Sequence, residues 1–293
     1  MEKRVTFNER WLPYLLVAPQ IVITLVFFFW PSGQAVFQSL ITEDAFGGNT
    51  KFVWFHNFKS LLSEPAYYDS ARLTLVFSAL VASIGLAVSL LLAVMADRII
   101  RGASFYKTIL VWPYAVAPAI AGVLWGFLFN PSVGTVSWML KSAGIDFNYV
   151  TNGRQALMLI IIAAVWNQVS YNFLFFLAGL QSIPKSLIEA AAIDGARPLR
   201  RFFSIQLPLL SPTTFFLFVI NMVYAFFDTF AIIDAVTQGG PGKETATLVY
   251  RVYFDGFRGM DFGSAAAQSV VLMAIVIGLT VIQFRFIESK VNY

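Results

Sequence analysis

Residues 156–180 read ALMLIIIAAVWNQVSYNFLFFLAGL, 25 consecutive positions without a charged side chain. A helix needs about 20 mostly apolar residues to cross the hydrocarbon core of a bilayer, so this run is long enough to span one. Working outward in both directions, comparable runs recur at 12–30, 73–96 and 108–129 before it, and at 209–233 and 264–286 after it. The whole chain of 293 residues is 58% hydrophobic and only 12% charged, against about 25% charged in soluble domains. In lipid every backbone polar group needs an internal partner, which makes helices the expected form of separate runs this long; a barrel would show alternating segments of about ten residues instead. The expectation is an all-α membrane protein with six transmembrane helices, a single membrane domain over 1–293.

The first run follows Lys3, Arg4 and Arg10 and resembles a secretory leader, but its apolar part is too long and Trp30-Pro31-Ser32-Gly33 offers no small-residue cleavage site. An uncleaved anchor helix is the better reading. Lys and Arg favour the cytoplasmic side. Counting alternate loops puts 12 of the 20 basic residues on one side, namely Lys3, Arg4, Arg10, Arg98, Arg101, Lys107, Lys185, Arg197, Arg200, Arg201, Arg285 and Lys290. Both termini and the loops 97–107 and 181–208 are therefore expected inside, and 42–71, 130–155 and 234–263 outside. Small residues at four-residue spacing, Ala79, Ser83 and Ala87 in the second span and Ala274 and Gly278 in the sixth, suggest faces for close helix packing.

The same composition narrows function. With no Cys and the single His56, neither a disulfide framework nor a Cys/His metal site is available. The basic residues are scattered between apolar runs rather than gathered in a patch, which argues against nucleic acid. The phosphate-cradling pattern Gly-x-x-x-x-Gly-Lys-[Ser/Thr] does not occur; Gly239-Gly240-Pro241-Gly242-Lys243-Glu244 has a different order and falls in an outward loop. No constellation of nucleophile, base and metal suggests an intramembrane enzyme. A secondary transporter would be expected to carry an ion relay and interrupted inverted repeats.

Immediately after the 156–180 run lies Ile183-Pro184-Lys185-Ser186-Leu187-Ile188-Glu189-Ala190-Ala191-Ala192-Ile193-Asp194-Gly195-Ala196, ending with Ile205-Gln206-Leu207-Pro208. Ser186 with Glu189 three residues on predicts a capping box, and Gly195 with Pro198 predicts the stop. Leu187, Ala190, Ala191 and Asp194 then share one face of a short helix. Such a helix could lie on lipid headgroups, but Ala and Gly suit docking against protein better than embedding in lipid.

Glu189-Ala190-Ala191, three residues, Gly195, nine residues, and Ile205-Gln206-Leu207-Pro208 are similar, in identity and spacing, to the cytoplasmic signature of the permeases of binding-protein-dependent ABC importers. The resemblance runs along essentially the whole chain. Within that family, 10–20, Trp112-Pro113-Tyr114-Ala115-Val116-Ala117-Pro118-Ala119, 170–176 and 223–230 most resemble the A-type permeases of sn-glycerol-3-phosphate importers; the related permeases handle maltose, other sugars and polyols. It implies that 183–208 is a coupling loop seated on an ATPase subunit, with Glu189, Ala190, Ala191, Asp194 and Gly195 at the contact. It also implies a second permease subunit, a dimer of ATP-binding subunits that hold ATP and Mg, an extracytoplasmic substrate-binding protein, and a multi-pass inner-membrane location. No cofactor is expected in this chain itself.

Polar residues within spans are costly and often functional. Trp166, Asn167, Gln168, Ser170, Tyr171 and Asn172 lie mid-way along the fourth span, and Asn221, Tyr224 and Asp228 follow helical spacing in the fifth. Trp166, Asn167, Tyr171, Asn172, Asn221, Tyr224 and Asp228 are the candidates for a translocation path; hydrogen bonding that merely joins the helices is the alternative. Apart from Arg285 at the end of the sixth run, no Lys or Arg falls inside a span, so contact with an anion there is expected to be weak. Pro113 and Pro118 are expected to bend the third span.

Overall fold

The computed structural model describes residues 11–43, 50–97 and 103–287. Lys3, Arg4, Arg10, Arg98, Arg101 and Lys290, which contribute to the charge argument, lie outside the described residues. The chain divides into two compact units: Met1–Glu64 with Val252–Val271, and Pro65–Arg251 with Leu272–Tyr293.

Four helices are long and apolar enough to cross a membrane: Leu12–Gln38, Pro65–Asp97, Gly153–Ser182 and Phe262–Arg285. Two further candidates are bent pairs, Phe105–Ala115 with Pro118–Leu128 at 100° and Pro198–Leu209 with Ser211–Phe227 at 66°. The described chain thus holds four to six spans by length and composition.

The third run, expected as one helix over 108–129, is therefore corrected to two half-helices. Pro113 sits in a tight 3-10 turn over Trp112–Ala115, and Val116 and Ala117 are extended (ψ 121° and 141°). Clash with the Pro118 ring drives Ala117 out of the helical region, and Pro118, whose missing N–H is no loss at a first helical position, starts the next helix. The fifth run is likewise not continuous over 209–233: it stops at Phe227, Asp228 occupies its C-terminal cap, and a separate helix covers Phe230–Val236.

In the smaller unit, a two-stranded antiparallel ribbon pairs Ile41–Glu43 with Thr50–Phe52. The Asn57 side-chain amide donates to the carbonyls of Ser39 (2.9 Å) and Ile41 (2.8 Å), tying helix His56–Leu62 to that ribbon.

In the larger unit, helix Gly153–Ser182 is the central element. Asn152 caps it, its side-chain oxygen accepting from the amides of Arg154 (3.1 Å) and Gln155 (3.3 Å). It ends where Ile183 turns extended before Pro184. Its partner face on Pro65–Asp97 carries Ser78, Ala82, Gly85 and Ser89, all buried, whereas Ala79, Ser83 and Ala87 are exposed, as are Ala274 and Gly278 on the last helix. The packing row within this unit is thus one position earlier than the small-residue spacing suggested. Without a hydrophobic drive between helices in lipid, close approach over such small residues and interhelical hydrogen bonds do the holding: Ser89 Oγ donates to the Val169 carbonyl at 2.9 Å, and Thr74 Oγ1 accepts from the Leu248 amide at 2.9 Å. Phe77, Phe173, Phe176 and Leu217 fill the interior. Gly122 lets helix Pro118–Leu128 approach Phe230–Val236 closely, since a Cβ there would lie 2.9 Å from that of Ala235.

Candidate translocation cavity and coupling loop

The break in the third span opens onto a cavity of about 630 Å³. One wall is the break itself, Tyr114 to Pro118. The facing walls come from Asn167, Gln168 and Tyr171 of the long helix and from Tyr224 and Asp228 at the end of Ser211–Phe227. The extended backbone at Val116 frees a carbonyl that a continuous helix would have used, and Asn167 Nδ2 donates to it at 2.9 Å. Asn167 Oδ1 accepts from the Tyr224 hydroxyl at 3.5 Å, and that hydroxyl also reaches the Ala164 carbonyl at 3.2 Å. A chain of contacts therefore runs from the break through Asn167 to Tyr224, and Asp228 lies one helical turn further on, its amide bonded to the Tyr224 carbonyl at 2.9 Å. Asp228 is exposed, and among the described residues no Lys or Arg lines the cavity. The Tyr114 and Tyr171 rings stand 5.8 Å apart along its side.

Three of the seven path candidates lie elsewhere, so the polar groups of the fourth and fifth spans do not all line the cavity; for Asn172 and Asn221 the alternative, hydrogen bonding that joins the helices, is what the structure has. Asn172 and Asn221 are fully buried and hydrogen-bond each other reciprocally, 2.9 Å from Asn172 Nδ2 to Asn221 Oδ1 and 2.7 Å in return. They join the fourth and fifth spans. Trp166 packs edge-on against Trp125, ring centroids 5.9 Å apart, away from the cavity. The reason is geometric: a helix turns about 100° per residue, so residues 166–172 cannot all face one way. Tyr114 and the extended pair Val116 and Ala117 were not among the candidates; Pro113 and Pro118, five apart, were the signal that could have found them.

The loop after the long helix forms a helix over Lys185–Ile193. Its N-terminal cap is Pro184, whose carbonyl accepts from the Leu187 amide at 3.1 Å. The expected capping box is absent: Ser186 already lies inside the first turn, because Pro184 with φ −57° and ψ 123° adopts the cap conformation two residues earlier. The C-terminal end is a Schellman turn. Gly195 has φ +79°, its amide bonds the Ala192 carbonyl at 3.1 Å, and the Ala196 amide reaches the Ala191 carbonyl at 2.9 Å. Leu187, Glu189, Ala190, Asp194 and Gly195 are exposed, Ala191 partly so, and Ile193 is 86% exposed. The helix is steadied from behind by Arg201, whose Nη1 donates to the Ile188 carbonyl at 3.5 Å. Lys185, Ile188 and Glu189 also edge a cleft of about 620 Å³ shared with Asp97 and Gln206.

A family model described as the binding-protein-dependent transport system inner membrane component matches residues 72–292. The sn-glycerol-3-phosphate transport system permease protein UgpA of Rhizobium meliloti (strain 1021) is 61% identical over 291 residues, spanning 99% of each chain. Its counterpart in Brucella abortus biovar 1 (strain 9-941) is 60% identical over the same extent. Among solved structures, a chain of a bacterial ABC transporter involved in the import of the acidic polysaccharide alginate superposes with a TM-score of 0.79 at 26% identity, covering 94% of this chain and 96% of that one.

Proposed function

The chain belongs to the family of binding-protein-dependent transport system inner membrane components, and from that premise we propose that it forms half of the membrane path of an sn-glycerol-3-phosphate importer. It is a permease subunit of an ABC importer, a multi-pass protein of the inner membrane. The finer reading has six spans with both termini in the cytoplasm, counting each bent pair as one crossing. In it Lys185–Ile193 is the coupling helix of a single membrane domain, pressed by a separate ATPase subunit that binds ATP and Mg. A second permease completes the path and an extracytoplasmic protein delivers the substrate.

The observation that carries the substrate assignment is the 61% identity over 99% of both chains to a permease named for sn-glycerol-3-phosphate transport. The open face of Leu187, Ala190 and Asp194 beside a glycine-closed turn supports the docking role, because a small, rigid, exposed helix can make different contacts in two states of a partner. Permeases of neutral sugars are the competing substrate reading. The whole importer, reconstituted with its ATPase and binding protein, is expected to accumulate sn-glycerol-3-phosphate in preference to maltose or glycerol; the reverse preference refutes the assignment. Because the chain has no Cys, Glu189→Cys supplies a single labelling target. An impermeant maleimide should reach it only from the cytoplasmic side, and labelling from outside intact cells refutes the topology.

A further inference from the structure

Resting on the glycerol phosphate reading, we propose that the amino end of the half-helix Pro118–Leu128, together with the Gln168 side-chain amide, receives the phosphate of the substrate in the cavity, with its hydroxyls turned toward Asp228. Three observations meet here. The first is the break. Because Val116 and Ala117 are extended, the Ala119 and Ile120 N–H groups of the following helix have no preceding carbonyl, whereas Pro118 has no N–H and the Ala121 amide takes the Ala117 carbonyl at 3.0 Å. Ala117 and Pro118, which form this end, line the cavity. Free amides and the positive end of the helix dipole together favour an anion, and half-helices that start inside a membrane present such an end at depth.

The second is Gln168. Its side chain is only 6% exposed, lines the same cavity, and makes no hydrogen bond to any described residue. Its neighbour Asn167 has its amide engaged by the Val116 carbonyl. A side chain this buried that leaves its primary amide to the cavity rather than to a protein partner has two N–H donors to offer, which suit a ligand rich in acceptor oxygens.

The third is the charge pattern. Among the described residues, Asp228 is the sole carboxylate on the lining and no Lys or Arg stands there to offset it. It repels a phosphate and accepts from a hydroxyl, so it orients a molecule that is anionic at one end and a polyol at the other. Holding the anion by dipoles and amides, without Lys or Arg, also keeps residence short, which suits passage rather than storage.

The test uses the complete importer in proteoliposomes, with sn-glycerol-3-phosphate as probe and accumulation per ATP hydrolysed as readout. Gln168→Glu places a second carboxylate at the phosphate seat and is expected to lower the ratio about tenfold near pH 7.5; Gln168→Asn, which keeps the amide, stays within about threefold of wild type. The readout that separates this role from mere packing is pH. The second ionisation of a phosphate monoester lies near pH 6, so at about pH 5.5 the Gln168→Glu defect shrinks severalfold while any defect of Gln168→Leu does not. Equal defects in Gln168→Glu and Gln168→Leu at both pH values, or uptake unchanged in both, overturn the phosphate seat. Wild-type complex that hydrolyses ATP but accumulates no glycerol phosphate overturns the substrate assignment instead.

Discussion

Replacing Gly195 tests the loop where its geometry is most demanding. Gly195 sits at φ +79°, and an added Cβ would find nothing within 4 Å, so crowding contributes no cost and the penalty is that of the backbone alone. A left-handed conformation costs an L-residue about 1–2 kcal/mol, which corresponds to about a 5- to 30-fold shift between closed and open turn. Gly195→Ala should therefore weaken hydrogen-exchange protection of the Gly195 and Ala196 positions, the two amides of the turn, by about that factor in the intact importer. Gly195→Val, with a branched Cβ, should lose more, and Gly195→Asn should lose less because Asn tolerates this region. If the turn presents the helix to the ATPase, uptake per ATP falls in the same order, Val below Ala below Asn. Unchanged protection at Ala196 in Gly195→Ala refutes the backbone argument. Gly195→Asn as damaging as Gly195→Val refutes it too, since the cause would then be side-chain bulk against a partner.

The buried amide pair gives a second test: Asn221→Leu strands the Asn172 amide at a cost of about 1–3 kcal/mol, Asn172→Leu costs less because Asn221 Nδ2 keeps its bond to the Leu217 carbonyl at 2.7 Å, and the double Leu variant should be more stable to heat than Asn221→Leu alone, whereas strictly additive losses contradict the pairing. Gly122→Ala pushes a Cβ to 2.9 Å from Ala235 and 3.1 Å from the Ile232 carbonyl, an overpacking expected to cost about 1–3 kcal/mol and to lower the thermal midpoint of the purified complex. Gly278→Ala, with nothing within 4 Å, is its control and should leave the midpoint unchanged.

The spans were legible because length and apolarity are one-dimensional properties: residues 156–180 announce a crossing without any knowledge of neighbours. The breaks were partly legible, since Pro113 and Pro118 forbid a regular helix, but the chain does not say that the freed Val116 carbonyl meets Asn167. Facing was the weakest inference. Helix Pro65–Asp97 has small residues in two adjoining rows, and only contact with Gly153–Ser182 decides that Ser78, Ala82, Gly85 and Ser89 turn inward. In the coupling loop, Gly195 spoke for itself through its backbone freedom. Ser186 misled, because Pro184 two positions earlier had already set the cap.

On the proposed coupling reading, these placements give a route by which a push on the Lys185–Ile193 helix would change the cavity beside Asn167. From Tyr171 to Ser182 the long helix runs unbroken, about 16 Å at 1.5 Å per residue, and two extended residues join it to the Lys185–Ile193 helix, Ile183 packed against the interior and Pro184 with its φ fixed by the ring. The Asn172–Asn221 pair fastens it to Ser211–Phe227 next to Tyr171 and one turn from Tyr224, so two walls of the cavity share one rigid attachment. The remaining wall has no such continuity. Its backbone is extended at Val116 and Ala117, where rotation about a few dihedrals disrupts no helical hydrogen bond, and its polar tie to the long helix runs from the Asn167 amide to the Val116 carbonyl at 2.9 Å, with a longer reach of 3.5 Å to the Pro113 carbonyl. Displacement applied through the coupling helix is on this reading carried by the two fastened helices and absorbed at the break. The amino end of Pro118–Leu128 then moves relative to Gln168, and the proposed phosphate seat opens or closes as a consequence of where the chain is stiff and where it is not.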